Sequence, residues 1–339
     1  MTEKTSSPEN VYYAWIDSKK RKPKSKARQR QMEEFKDNLL PSLCAVQNVV
    51  ETGEWNMSEK DYQIFYRPQC GKIREICYNT SYFNNVVMHA MMRTDGKVLE
   101  NTFIADTYSG IKGRGPVKGM ERLKSFILEY SDDTPIYVLK FDIYHYYDNI
   151  NKDKLYDGLK RKIKDATSLK LHHTTIYSCP LPGVPKGNLP SQTYSNYYLS
   201  PLDHYVKEQL GFRHYARYCD DVVVLSSSKA ELVALLAKIK AFLAEYGLTV
   251  KPNAQVFPIE RYGIDFMGYV FRRHDVLLRK RIERSVRKAA RKYFENPDEK
   301  NYKSLAAYWG WVKHVTRPEA LWNAIVGRPL KELKPKEAA

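Results

Sequence analysis

Asp220 and Asp221 are adjacent carboxylates between the β-forming residues 214–217 and the apolar run 222–225. Asp142 closes a second strand-like run, residues 136–141, and lies 78 residues before Asp220. Neighbouring acids repel and resist burial, but on a hairpin turn both can project into one solvated pocket where a divalent cation offsets the repulsion. Alone, an Asp-Asp pair is more simply a turn joining two strands. With a third acid at another apolar strand end, the set becomes that of a two-metal phosphoryl-transfer site.

The elements around these acids decide whether they can meet. Residues 62–66 and 72–78 flank a turn segment, 67–71, in which Pro68 and Gly71 supply the bend. Alternation puts Lys72 and Arg74 on one face of their strand, where they either are two exposed charges or pin nucleotide phosphates, Arg74 by a fork and Lys72 as a point charge. Residues 31–47 form an expected helix with Phe35, Leu39, Leu43 and Val46 in phase, residues 81–92 a mostly apolar one, and residues 119–130 an amphipathic one. Residues 110–116 are a glycine-rich basic loop suited to a phosphate backbone.

Directly after Asp142, residues 143–150 are dense in aromatic rings. Core tyrosines are the plainer meaning, but one ring beside a nucleotide site can stack on a base or block a ribose 2′-hydroxyl. Asp148 is expected to cap or turn into a helix over 152–164. Residues 181–192 form a turn-rich loop whose N–H groups suit a nucleotide, leading into a helix through Tyr194, Tyr198 and Leu199 that Pro201 should disturb. Ser228 and Glu231 make a capping box for a core helix that Gly247 ends. Residues 263–271 suit a strand or tight hairpin, with Asp265 structural. Beyond it, Ile282, Val286, Ala290 and Tyr293 line a basic helix, and residues 302–315 form an aromatic one.

The 339 residues are long enough for two or three packed subdomains. The net charge of +17 is concentrated: residues 19–30 hold eight Lys/Arg and no acid, and residues 272–293 hold ten Lys/Arg against two acids. A nearly neutral centre between basic arms fits a chemical core that grips a polyanion. Residues 1–30 are expected to order only on meeting a partner. The five cysteines form no C-x-x-C pair, which argues against zinc and for reduced thiols. No stretch approaches the ~20 apolar residues of a membrane span, so a cytoplasmic location is expected.

Taken in order, these segments resemble the reverse transcriptases, the RNA-directed DNA polymerases. Residues 141–150 (Phe-Asp-Ile-x-x-Tyr-Tyr-Asp-Asn-Ile) are similar to the family's first catalytic motif, and Gly187-x-x-x-Ser191-Gln192 to its nucleotide-side loop and helix. Tyr218-Cys219-Asp220-Asp221 is similar to the second catalytic motif, and Phe266-Met267-Gly268-Tyr269 to the primer grip. The resemblance implies an α+β right-hand polymerase: a basic N-terminal arm at 1–30, fingers at 31–135, a palm of antiparallel sheet on helices at 136–271 with 166–190 partly on the fingers side, and a basic helical thumb and tail at 272–339. It implies that Asp142, Asp220 and Asp221, helped by the carbonyl of Ile143, bind two Mg²⁺, with Mn²⁺ as a substitute. Lys72 and Arg74 would hold the triphosphate, Tyr147 would exclude ribonucleotides, and Lys186, Gly187, Ser191 and Gln192 would line the nucleotide. Tyr218, Met267, Gly268, Arg284 and Lys288 would contact primer and template.

Within the family, Gly187-Asn188-Leu189-Pro190-Ser191-Gln192, the run 198–207, Gly263-Ile264-Asp265-Phe266 and residues 309–314 are most similar to bacterial and phage diversity-generating retroelement enzymes. That implies error-prone cDNA synthesis from a structured template RNA, with dNTPs, primer and cDNA as further partners and a small basic accessory protein, the accessory variability determinant. Lys186 stands where retroviral members carry Gln and the retroelement group an aliphatic residue. Ala254 replaces a lysine expected after Gly247, leaving Lys251 as its possible substitute. The chain leaves too few residues outside the polymerase for a ribonuclease H or endonuclease region. The alternatives are a phage-defence or retron-like reverse transcriptase with its own non-coding RNA, and, from another class, a catalytically silent RNA-binding scaffold.

Overall fold

The computed structural model describes residues 2–20, 23, 25–69 and 71–333. The chain begins with helices α1 (Thr2–Ser6), α2 (Pro8–Ser18), α3 (Lys26–Asp37) and α4 (Leu39–Thr52). Strands β1 (Tyr62–Gln69) and β2 (Lys72–Asn79), helices α5 (Tyr82–Glu100) and α6 (Pro116–Leu128), and strand β3 (Tyr137–Asp142) follow. Next come α7 (Lys152–Lys162), α8 (Ala166–Tyr177), α9 (Leu189–His204), β4 (Tyr215–Tyr218), β5 (Asp221–Ser226), α10 (Lys229–Glu245), β6 (Gln255–Pro258) and α11 (Ile259–Tyr262). The last described elements are β7 (Ile264–Phe266), β8 (Tyr269–Phe271), β9 (Val276–Leu278), α12 (Lys280–Glu295), α13 (Glu299–Val312) and α14 (Pro318–Val326). These form two compact units, one of Met1–Ile111, Asp142–Gly211 and Lys238–Pro252, the other of Lys112–Phe141, Phe212–Ala237 and Asn253–Ala339.

In the first unit the described residues of the N-terminal segment are largely helical, contrary to the expectation that it orders only on a partner. Val11, Ala14 and Trp15 of α2 share one buried core with Phe35, Val46, Val50, Val87, Met91 and Leu171. Burying Val11 and Trp15, worth about 1.5–3 kcal/mol each, holds a segment that charge alone would leave extended. Arg28 donates to the Asn79 carbonyl at 3.0 Å and ties α3 to the end of β2. Arg21, Lys22 and Lys24 lie outside the described residues. The single helix expected over 31–47 is two, broken at Asn38. Pro41 explains the break, because its ring clashes with the carbonyl four residues back and it has no N–H to give.

β1 and β2 pair antiparallel from Tyr62↔Asn79 to Gln69↔Lys72, so the expected turn narrows to residues 70 and 71, of which Cys70 lies outside the described residues. The hairpin is therefore longer than alternation alone suggested. In α9, Pro201 does not end the helix, which continues to His204 before a single π turn over Tyr205–Gln209. Buried neighbours on both sides, Leu199, Ser200, Leu202 and Asp203, keep the segment helical despite the lost N–H.

The second unit is built on a four-stranded sheet in the order β4-β5-β3-β6, with a three-stranded sheet in the order β7-β8-β9. β4–β5, β3–β6, β7–β8 and β8–β9 are all antiparallel. Val222, Val223, Val224 and Leu225 of β5 and Val138, Leu139 and Phe141 of β3 are buried, as suits central strands, with Lys140 the one charged residue between the buried positions of β3. Val286, Ala289, Ala290 and Tyr293 of α12 turn inward, while Arg284 and Lys288 share an exposed stripe one helical turn apart. Among the described residues no helix is long and apolar enough to cross a membrane.

Candidate active site

The Asp-Asp pair lies at the tip of the β4–β5 hairpin. Tyr218 pairs with Asp221, so Cys219 and Asp220 are the two-residue turn, and Cys219 takes the left-handed φ of 59° that such a turn needs at its first position. Arg217 is fully buried and donates to the Cys219 carbonyl at 3.0 Å, bracing the turn from inside. Asp221 opens β5, and β3, the next strand of the sheet, closes on Asp142. The sequence expectation that all three acids stand at strand ends thus holds for Asp142 and Asp221, with Asp220 in the turn.

Within this hairpin's unit, Lys140 supplies counter-charge that the sequence did not reveal. Its ammonium donates to both Asp221 carboxylate oxygens, at 2.8 and 3.0 Å, and to the Asp265 carbonyl of β7. Lys140 lies two residues before Asp142 in β3, so their side chains leave the same face of that strand. Asp265 is structural, as expected, its carboxylate accepting from Arg279 Nε at 2.6 Å.

In the first unit, the Asp142 carbonyl accepts the Lys251 N–H at 2.8 Å, and Lys251 Nζ stands 3.4 Å from the Asp142 carboxylate. Tyr144 N–H donates to the Thr249 carbonyl at 2.7 Å, and Ile143 bridges Val250 between these two bonds. In such an antiparallel bridge the flanking residues carry the hydrogen bonds, so the carbonyl of Ile143 is directed away from residues 249–251. Among the described residues no group of three or more His, Cys, Asp or Glu side chains is gathered to hold a metal. Asp142 and Asp221 face ammonium groups instead. Their donor chemistry still fits Mg²⁺, which takes one or two carboxylates and fills its remaining positions with water and substrate phosphate rather than an all-protein cage.

The expected nucleotide residues all belong to this same unit. Tyr147 and Asp148 occupy the short helical turn Tyr146–Asn149, entered through His145 at a φ of 43°. The Tyr147 hydroxyl accepts from Ser195 Oγ at 3.1 Å. Lys186 Nζ donates to both Asp148 oxygens at 2.8 Å, so Asp148 does not cap the following helix; Asn151 does, accepting from the Lys154 N–H at 2.9 Å. Gly187 N–H donates to the Cys77 carbonyl at 3.0 Å, and a Cβ there would come within 2.6 Å of the same oxygen. Asn188 accepts from the Asn79 N–H at 2.9 Å, fastening this loop to β2. Ser191 is buried, and the Gln192 amide donates to Ser109 Oγ at 3.0 Å, with its stem against Gly110.

Arg74 is exposed on β2 and its register partner is Arg67, a like-charged pair that would be unfavourable without an anion to share. Arg67 was missed because the sequence placed it in the turn rather than on the strand. The side chain of Lys72 lies outside the described residues.

In the second unit, Met267 (φ 50°) and Gly268 (φ 94°) form the β7–β8 turn. A Cβ on Gly268 would lie 2.6 Å from Trp311 and 2.9 Å from Ile282, so this turn is seated on α12 and α13 only because the side chain is absent.

A family model described as reverse transcriptase (RNA-dependent DNA polymerase) matches residues 80–271, more than half of the chain. The chain belongs to the reverse transcriptase family. Its fold is similar to that of apo telomerase from Candida Tropicalis, at a TM-score of 0.53 and 12% identity over 81% of this chain and 60% of that one. Telomerase from Candida Tropicalis in complex with a TWJ fragment of telomeric RNA matches at a TM-score of 0.50 and 12% identity, covering 77% of this chain and 54% of that one. This reverse transcriptase family member spans between 54% and 60% of the telomerase chains it matches. No curated protein matches it. The mixed helices and antiparallel sheets are those of the polymerase fold.

Proposed function

We propose that this protein copies RNA into DNA by two-metal nucleotidyl transfer, with Asp142, Asp220 and Asp221 as the metal-binding and catalytic carboxylates. The observation that carries this reading is that neighbouring strands of one sheet end and begin on Asp142 and Asp221, inside the segment that matches the family. When bound there, two Mg²⁺ would lower the pKa of the primer 3′-hydroxyl and offset the charge of the leaving pyrophosphate. The Ile143 carbonyl would be a further ligand. Arg74, with Arg67 opposite it, would share the triphosphate charge; Lys72 would add a further cation. Lys186, Gly187, Ser191 and Gln192 would shape the nucleotide's surroundings, and the Tyr147 ring would refuse a ribose 2′-hydroxyl.

Tyr218, Met267 and Gly268 would seat the primer terminus, and Arg284 and Lys288 would hold the duplex backbone from α12. In this reading residues 1–30 are a basic arm, 31–135 fingers, 136–271 palm and 272–339 thumb. A structured RNA is the proposed template partner, supported by the basic charge and by the RNA fragment bound to the similar telomerase. The loop sequence 187–192 favours the diversity-generating retroelement role, with an accessory variability determinant as protein partner. Primer extension on an RNA template with Mg²⁺ and dNTPs tests the activity, and a silent scaffold would yield no product. Sequencing the cDNA tests the finer role: errors confined to template adenines are expected, whereas evenly spread errors contradict it and favour a retron-like or defence enzyme.

A further inference from the structure

We propose that Asp148 and Lys186 form a latch that fixes the position of Tyr147 and thereby sets the preference for deoxyribonucleotides; this rests on the reading above that Tyr147 faces the incoming sugar. Two segments of one unit meet here, the turn Tyr146–Asn149 and the loop before α9. Val184 N–H donates to the Tyr147 carbonyl at 3.0 Å. Gly183 lies so close that a Cβ on it would be 2.0 Å from the Tyr147 oxygen and 2.7 Å from the Asp148 oxygen. The loop is thus pressed on the backbone of the two residues, and only a residue without a side chain allows it.

The ion pair closes this contact. Lys186 Nζ reaches both Asp148 oxygens at 2.8 Å, and the two side chains are 29% and 30% exposed, so water screens the pair only in part. His145 Nδ1 is 3.4 Å from the same carboxylate, so Asp148 also restrains the left-handed residue through which the turn is entered. At its far end the loop is bonded to β2 through Gly187 and Asn188. The ring itself is held at its tip by Ser195 and lies edge-on to Tyr146, with centroids 5.6 Å apart. Tyr147 is therefore held both at its backbone, by Val184, and at its hydroxyl, by Ser195. With its charge committed to Asp148, Lys186 acts on the nucleotide through the loop and is a positioning residue, as is Asp148.

The test is single-nucleotide incorporation of a dNTP and the matching rNTP on one primer–template, comparing wild type with Asp148→Asn, Lys186→Met and Lys186→Arg. Asp148→Asn and Lys186→Met are expected to lower the dNTP-over-rNTP ratio of kcat/KM about tenfold, mainly through a lower KM for the rNTP, while Lys186→Arg keeps the pair and the ratio. A melting curve for each variant separates misfolding from this effect, and if one fails to fold the other reads the same ratio. Full discrimination in the two neutralised variants, or an equal loss in Lys186→Arg, overturns the latch while leaving the polymerase reading intact. A wild type that extends with neither sugar overturns that reading and the latch with it.

Discussion

Replacing Lys140 by Met keeps most of the aliphatic stem and removes the ammonium that donates to both oxygens of Asp221 and to the Asp265 carbonyl. Hydrogen bonds to a charged partner contribute about 1.5–3 kcal/mol in mutational series, whereas well-exposed ion pairs give about 0–1 kcal/mol. Lys140 and Asp221 are each 24% exposed, which lies between those cases. A loss of about 1–2 kcal/mol is therefore expected, since Asp221 is left beside Asp220 without its counter-charge. The assay is urea denaturation followed by tryptophan fluorescence in metal-free, low-salt buffer. Repeating it with millimolar Mg²⁺ adds a second readout, because a cation that binds only the folded state stabilises it by an amount that grows with the logarithm of its affinity. In the proposed site Lys140 would compete with such a cation for Asp221, so the variant should gain more from Mg²⁺ than the wild type does. Unchanged stability without metal, or an equal gain in both proteins, would refute the role given to Lys140.

Two further outcomes follow from local geometry. Gly268→Ala should cost about 2–4 kcal/mol, combining a left-handed backbone with a Cβ forced to 2.6 Å from Trp311, and an unchanged melting temperature would contradict the packing described. Burial pushes the His89 imidazole down to about 4, so the folded chain keeps it neutral where the unfolded chain, near 6.5, takes up a proton. Stability should accordingly fall as pH drops from about 6.5 towards 4, by about 2 kcal/mol between pH 7 and 5, because the unfolded state binds more protons in that window. Chemical denaturation of wild type and His89→Gln at the two pH values checks this; equal pH dependence would remove His89 as the cause.

Much of the site was legible because its signals are local. The β-formers around Asp220 and Asp221, the apolar run before Asp142 and the glycine at 268 each fix a strand end or turn from adjacent residues alone. What stayed hidden depends on partners distant in sequence. Helix α8 buries Ser168, His172 and Thr175 beside Leu171 and Ile176, so polar residues dilute its apolar periodicity. His172 is nevertheless at home in the core, bonded to Tyr194 at 2.6 Å and Asp95 at 3.1 Å. The basic run after α2 masked the spacing of Val11, Ala14 and Trp15, which buries that helix. Lys140 looked like an ordinary strand charge and Lys186 was expected to line the nucleotide; only tertiary structure pairs them with Asp221 and Asp148.

Asp220→Asn is the most direct probe of the carboxylate site, since the change is isosteric and removes one charge from the half-buried turn without altering side-chain volume. Measured side by side, primer extension on RNA with Mg²⁺ should vanish while the affinity for the same primer–template stays within about threefold of wild type, a shift under about 0.7 kcal/mol. A variant that extends the primer at the wild-type rate would contradict the assignment of nucleotidyl transfer to this turn.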